Sequence, residues 1–160
     1  MLSNMTTYQQ TNTEIARGLF AAMATGTADD LADLVHPEAT NREAVIEPPE
    51  SRGRGPSAWW ATTLWLRQAY SDLAWELHEV VASGDLVAVH ATMSGRHTGT
   101  HHHYGPDGAV IRTLPPTGRA FAATQSHWLR FADGLIVEHW ANRDDLGLGL
   151  QLGWLAPPGS

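Results

Sequence analysis

Cysteine is absent from this 160-residue chain. That excludes disulfides, thiolate metal sites and a cysteine nucleophile, and it fits a reducing, cytoplasmic setting. Basic charge is scarce: 10 Lys and Arg against 17 Asp and Glu give a formal net charge of −7. With no basic run to displace counterions, neither nucleic acid nor an anionic membrane surface is an expected partner. No apolar stretch reaches the length of a bilayer span, and Met1–Gln10 is too polar for a secretory leader. Tyr and Phe number only three each, whereas Trp and His number seven and nine. Large indoles need packing, so a Trp-rich core or a Trp-lined cavity is expected. The length is that of one domain, able to bury about two thirds of its surface. One unit over 1–160 is expected, with 1–10 and 155–160 flexible.

Along the chain, Thr11-Asn12-Thr13-Glu14 is a capping signal for a helix through IARGLFAAMA that stops at Thr25-Gly26. A short helix, DDLADLV, ends at His36-Pro37, where proline breaks the pattern. The next twenty residues, 38–57, read as loop. SAWWATTLWLRQAY is a third helix, closed by Ser71-Asp72. From there the period changes from 3.6 to 2, which predicts strands at 73–82, 86–97, 119–131 and 135–142. A Gly/Pro/His-rich excursion occupies 98–118. Helices followed by a run of antiparallel strands predict an α+β architecture, a curled sheet wrapped on about three helices around an internal cavity.

The segment QSHWLRFADGLIVEHWANRDD, 125–145, folds about Ala132-Asp133-Gly134. Alternation then places Gln125, His127, Leu129, Val137, His139 and Ala141 on one face, and Ser126, Trp128, Arg130, Glu138 and Trp140 on the other. An amide and two imidazoles at cross-strand distance mark the first face as a pocket wall; the alternative is a satisfied structural pair of core histidines.

The stretches HPEATN (36–41), GP (55–56), GDLVAVH (84–90), GRHTG (95–99), PPTGR (115–119), DGLIVEHW (133–140), Asp144 and QLG (151–153) occur in an order that resembles the SnoaL-like polyketide cyclases. These are also called ester cyclases, and they have the nuclear-transport-factor type of cone. The resemblance spans residues 13 to 154. It implies an enzyme without cofactor or metal that closes a ring by intramolecular aldol chemistry on a hydrophobic, polyketide-derived ester. Asn41 matches the family's loop Asn, Gln125 and His127 its strand Gln-x-His, and Met23 the place of a cavity aromatic. The position of the family's catalytic aspartate holds Ala141, and Asp144 matches a common family Asp near the strand end. Family members commonly pair, and Trp128 and Trp140 on an outward face ask for cover, so a homodimer is expected.

His127 is the first candidate for general acid or base, with His139 fixing its tautomer or lowering its pKa. Asp144 either orients an imidazole, replaces the missing acid, or caps a helix over DLGLGLQLG. Asn41 and Gln125 can stabilise an enolate oxygen. Met23, Trp140 and Arg96 complete the expected substrate contacts, Arg96 also being a candidate for an ordinary salt bridge. Glu43 and Glu47 follow helix two and are expected to be solvated rather than to reach the cone's mouth. His101-His102-His103, with His97 nearby, reads as part of a solvent-exposed lid, not a metal site. The remaining tryptophans are expected to pack helix three on the sheet or to form an interface. Besides ring closure or isomerisation, the same features allow epoxide opening, cofactor-less hydroxylation, or small-molecule binding without chemistry.

Overall fold

The computed structural model describes residues 2–156 and 159. Of the ends expected to be flexible, Met1 and residues 157, 158 and 160 lie outside the described residues. The elements in chain order are α1 (Leu2–Thr25), α2 (Ala28–Ala32), β1 (Val35–Asn41), a 3-10 turn (Pro49–Arg52), α3 (Gly55–Ala69), β2 (Tyr70–Ser83), β3 (Leu86–His97), β4 (His101–Tyr104), β5 (Val110–Leu114), β6 (Ala120–Ala132), β7 (Leu135–Arg143) and α4 (Asp145–Leu152). Five strands form one sheet in the order β1-β7-β6-β3-β2, and β4 and β5 form a separate hairpin. The ends of the main sheet do not pair with each other, so it curls without closing.

The alternation from residue 73 onward becomes strands as expected. In the β6–β7 hairpin Asp133 and Gly134 take positive φ, 50° and 76°, which a two-residue turn matching the strand twist requires. Four expectations are corrected. Helix α1 already runs from Leu2, so Thr11–Glu14 lies inside it and is no cap. Helix α2 ends at Ala32, and the chain is extended from Val35. The segment 35–41, expected as helix end and loop, is an edge strand parallel to β7. Pro37 explains the switch: the residue before proline is pushed out of the α region, and an edge strand tolerates the missing N–H. Finally, the 98–118 excursion is not all loop, because β4 pairs antiparallel with β5.

The helices cover the concave side of the sheet. Leu19 and Phe20 of α1, Leu31 of α2 and Trp59 of α3 are buried with Val87, Val89, Leu129, Phe131 and Ile136 of the sheet. A second cluster, with Tyr70, Met93, Phe121, Leu148 and Leu152, brings α4 onto the far end. Arg67 locks two helices together. Its guanidinium donates to the carbonyls of Ala22, Met23 and Gly26 at 2.8, 3.1 and 2.9 Å. Those carbonyls lie in the last turn of α1 and just beyond it, where a cation is favoured. Gly55 starts α3 at φ 73°, and a Cβ there would lie 2.3 Å from the Pro37 carbonyl oxygen, so α3 seats tightly on β1.

Candidate active site

Between the two clusters lies a cavity of about 290 Å³, near the lower end of the usual small-molecule range of roughly 300–1,000 Å³. Trp59, Trp65, Trp75 and Trp154 are on its wall, so four of the seven tryptophans line a cavity rather than an interface. Trp128 and Trp140 stack on the opposite sheet face with ring centroids 6.3 Å apart. Arg42 lies 4.8 Å and Arg130 5.9 Å from the Trp140 ring. Trp140 is therefore no substrate contact, because an odd offset from His139 on a strand puts it on the outer face.

One polar row crosses the apolar wall. The antiparallel register sets His127 opposite Ala141 and diagonal to His139, while the parallel register sets Asn41 beside His139. Trp75 Nε1–H donates to Gln125 Oε1 at 3.0 Å. His127 Nε2 lies 2.8 Å from the same oxygen, His127 Nδ1 lies 2.9 Å from His139 Nε2, and His139 Nδ1 lies 2.9 Å from Asn41 Oδ1. The main-chain N–H of Glu43 also donates to Asn41 Oδ1, at 3.1 Å.

Two neighbours that can only donate fix the protons of this row. The Trp75 indole N–H and the Glu43 amide N–H hold the two carboxamide oxygens toward the imidazoles. His127 must then donate from Nε2, and His139 from Nδ1. When both rings are neutral, the two remaining nitrogens face each other with lone pairs only. The row is one proton short in its middle. Burial nonetheless favours the neutral rings: it drives His127 down to about 3, helped by the charge of Arg143. His139 is driven well below its ordinary value by burial, then by His127 and Arg143. With both nitrogens of each ring engaged inside the row, neither imidazole offers a free lone pair to the cavity, which argues against His127 as the base.

The other expected residues separate. Met23, Asn41 and Gln125 are on the cavity wall. Asp144 is not: it is exposed, and its Oδ1 accepts from Gly147 N at 2.8 Å as the N-cap of α4. Its helix-capping alternative is the one the structure displays. Arg96 is exposed and donates to the Gly118 carbonyl at 2.7 Å, away from the cavity. His97 is fully buried and accepts from Thr117 N through Nδ1.

Sequence reasoning missed two groups. The His run is a strand, so alternate rings point inward: His101 and His103 are on the cavity wall, and His101 is only 3% exposed. Burial, then the other histidines around it, pushes His101 to about 3. Among the described residues, no group of three His, Asp or Glu is arranged to hold a metal ion. The other group is Glu43 and Glu47, both on the wall rather than solvated. Glu43 Oε1 accepts from Ala141 N at 2.9 Å, and its Oε2 lies 3.8 Å from Arg143. Glu47 is 3% exposed. Burial raises its pKa, with the Thr62 hydroxyl and Arg143 opposing and Glu43 adding to the rise. No local signal marked Glu47, since Val45 and Ile46 of the AVIE run at 44–47 are themselves exposed.

A curled α+β sheet under helices, with a mainly apolar cavity crossed by amides, imidazoles and carboxylates, defines a small-molecule enzyme of the cone type. Residues 13–152 match the sequence profile of the SnoaL-like polyketide cyclases. The chain is 35% identical over 152 residues to the aklanonic acid methyl ester cyclase DnrD of Streptomyces peucetius, covering 93% of this chain and 97% of that protein. It is 31% identical over 137 residues to the nogalonic acid methyl ester cyclase of Streptomyces nogalater, covering 84% and 92%. The structure of TsrD from Streptomyces laurentii superposes with a TM-score of 0.75 at 27% identity, covering 92% and 98%. The chain belongs to the SnoaL-like polyketide cyclase family, and it is an enzyme of that cyclase type. Among the described residues no helix is long and apolar enough to cross a membrane.

Proposed function

We propose that this enzyme closes a ring in an aromatic polyketide methyl ester by intramolecular aldol addition, using its own side chains for acid–base chemistry. The observation that carries the reading is the polar row set into an otherwise apolar chamber. Such a chamber holds a flat, greasy, carbonyl-bearing molecule, and the row supplies donors where an enolate oxygen develops charge. The carboxamides of Asn41 and Gln125 and the guanidinium of Arg143 are those donors. His127 and His139 hold the two carboxamides in place. Removal of a proton from a carbon between carbonyls gives an enolate, whose carbon attacks a ketone of the same molecule. The product has the mass of the substrate.

Three further wall residues support an oxygen-rich guest. Trp59 Nε1, Trp154 Nε1 and His101 Nδ1 are buried without a protein partner. Each such unmade bond costs about 1–3 kcal/mol. The relatives' names point to aklanonic acid methyl ester as the first compound to try. Incubated with it, the purified protein is expected to yield an isomer of identical mass with one fewer ketone carbonyl in its carbon NMR spectrum. Tight binding of the ester with no conversion would instead make the chain a binding module.

A further inference from the structure

Glu47 lies between the AVI run and two prolines, on a connector where a carboxylate would ordinarily face water. Instead it is almost fully buried and forms part of the cavity wall. The segment is pinned from two sides. Arg52 Nη2 donates to the Glu47 main-chain carbonyl at 3.0 Å, and the Thr62 hydroxyl on α3 donates to Oε2. Oε1 takes no part in the Thr62 bond. The side chain is thus positioned rather than simply trapped.

A structural carboxylate at such depth needs a cation against it, since a buried charge without one is costly. Arg143 is the cation that acts on it, but its guanidinium is shared with Glu43 at 3.8 Å and Asp145 at 3.6 Å. No ion pair is formed with Glu47 among the described residues. Most competing acids and bases are otherwise committed, and burial lowers the pKa of the two that are not, His101 and His103, which weakens them as bases. Glu43 holds the Ala141 N–H and faces Arg143. Asp145 is exposed in the first turn of α4. His127 and His139 spend both nitrogens inside the row. The His101 ring is packed between Trp65 and Trp154, with centroids 4.4 and 5.4 Å away.

We infer that Glu47 is the catalytic base of this cavity, a role that rests on the aldol reading above and names the group performing its first step. The carbon–hydrogen bond breaks, its proton passes to the Glu47 carboxylate, and the electron pair enters the enolate. The enolate carbon then bonds to the ketone carbon as the carbonyl π pair moves onto oxygen. That alkoxide takes the proton back from Glu47. No atom is gained or lost, and no oxidant or second reactant is needed. The apolar wall makes the carboxylate a stronger base than one in water, because desolvation disfavours its charge. Two charged groups act on it: Glu43 from its own connector and Arg143 from β7.

The test is exchange of a carbon-bound proton for solvent deuterium, followed by NMR on methyl benzoylacetate, an aromatic β-keto ester, at saturating concentration. The buffer-catalysed rate is subtracted. Wild-type protein is expected to accelerate exchange. Glu47→Gln, which keeps the shape and an acceptor for Thr62, is expected to slow it about 10²–10⁴-fold, the usual worth of a general base. Glu47→Asp moves the carboxylate back by one methylene and is expected to fall between the two. It decides the matter if the Gln variant does not fold. Asp85→Asn, in a surface pair with Arg130, serves as the unaffected control. Exchange by Glu47→Gln, or by Glu47→Asp where it must stand in, within tenfold of wild type overturns the assignment. So does a wild-type protein that catalyses no exchange. Intact exchange without ring closure of aklanonic acid methyl ester removes the aldol reading and leaves Glu47 as the base.

Discussion

At the scale of single residues, the proton arrangement of the polar row is the most constrained feature of the site. Two donor-only neighbours dictate that His127 is protonated at Nε2 and His139 at Nδ1. Opposite tautomers on two adjacent rings are therefore expected. Nitrogen-15 correlation spectra at pH 7 distinguish them; the same tautomer on both rings would contradict the row as drawn. Alternation along 125–145 was enough to bring Gln125, His127 and His139 together, because a period of two leaves a strand residue only two faces. The partners of these groups were not legible in that way. Asn41 arrives from a strand about a hundred residues earlier in the chain, and Glu43 follows it. Glu47 looked solvated because exposure on a connector is decided by how the connector folds back, which no local pattern records.

At the scale of elements, the four long strands from residue 70 onward were legible, and β1 and the β4–β5 hairpin were not. Seven residues containing a proline carry little alternation, and what makes them a strand is the edge of β7 alongside. The α1–α3 junction is likewise invisible locally, since it depends on one arginine finding three carbonyls. Arg67→Met keeps much of the aliphatic stem and removes those bonds. It is expected to cost about 1.5–3 kcal/mol or more of unfolding free energy, since hydrogen bonds to a charged group are lost from partly buried carbonyls. Urea titration checks this; a loss below about 0.5 kcal/mol would mean that water replaces the guanidinium without penalty.

At the scale of the whole molecule, the buried imidazoles tie stability to acidity. His127 and His101 each stand near 3 in the folded protein against an ordinary 6.5. Between those values the unfolded chain binds more protons than the folded one, so stability falls as the pH drops from about 6.5 toward 3. Each ring adds a slope of up to about 1.4 kcal/mol per pH unit. Melting curves are expected to show a clearly lower midpoint at pH 5 than at pH 7; an unchanged midpoint would show that both rings stay reachable by water. Glu47 has the opposite sign. Its raised pKa means that stability is lost as pH climbs through the folded value, so Glu47→Gln is expected to melt higher than wild type at pH 8.

The strip between β1 and the 3-10 turn has one more implication. Here two of the three cavity carboxylates, Glu43 and Glu47, ride on a connector, while the amides and imidazoles ride on strands. A connector can be lengthened, shortened or exchanged without disturbing sheet register. The proposed base and most of the orienting groups thus sit on different parts, and grafting residues 44–48 onto a related cone would carry Glu47 across while leaving Asn41 and the Glu43 amide that holds it in place.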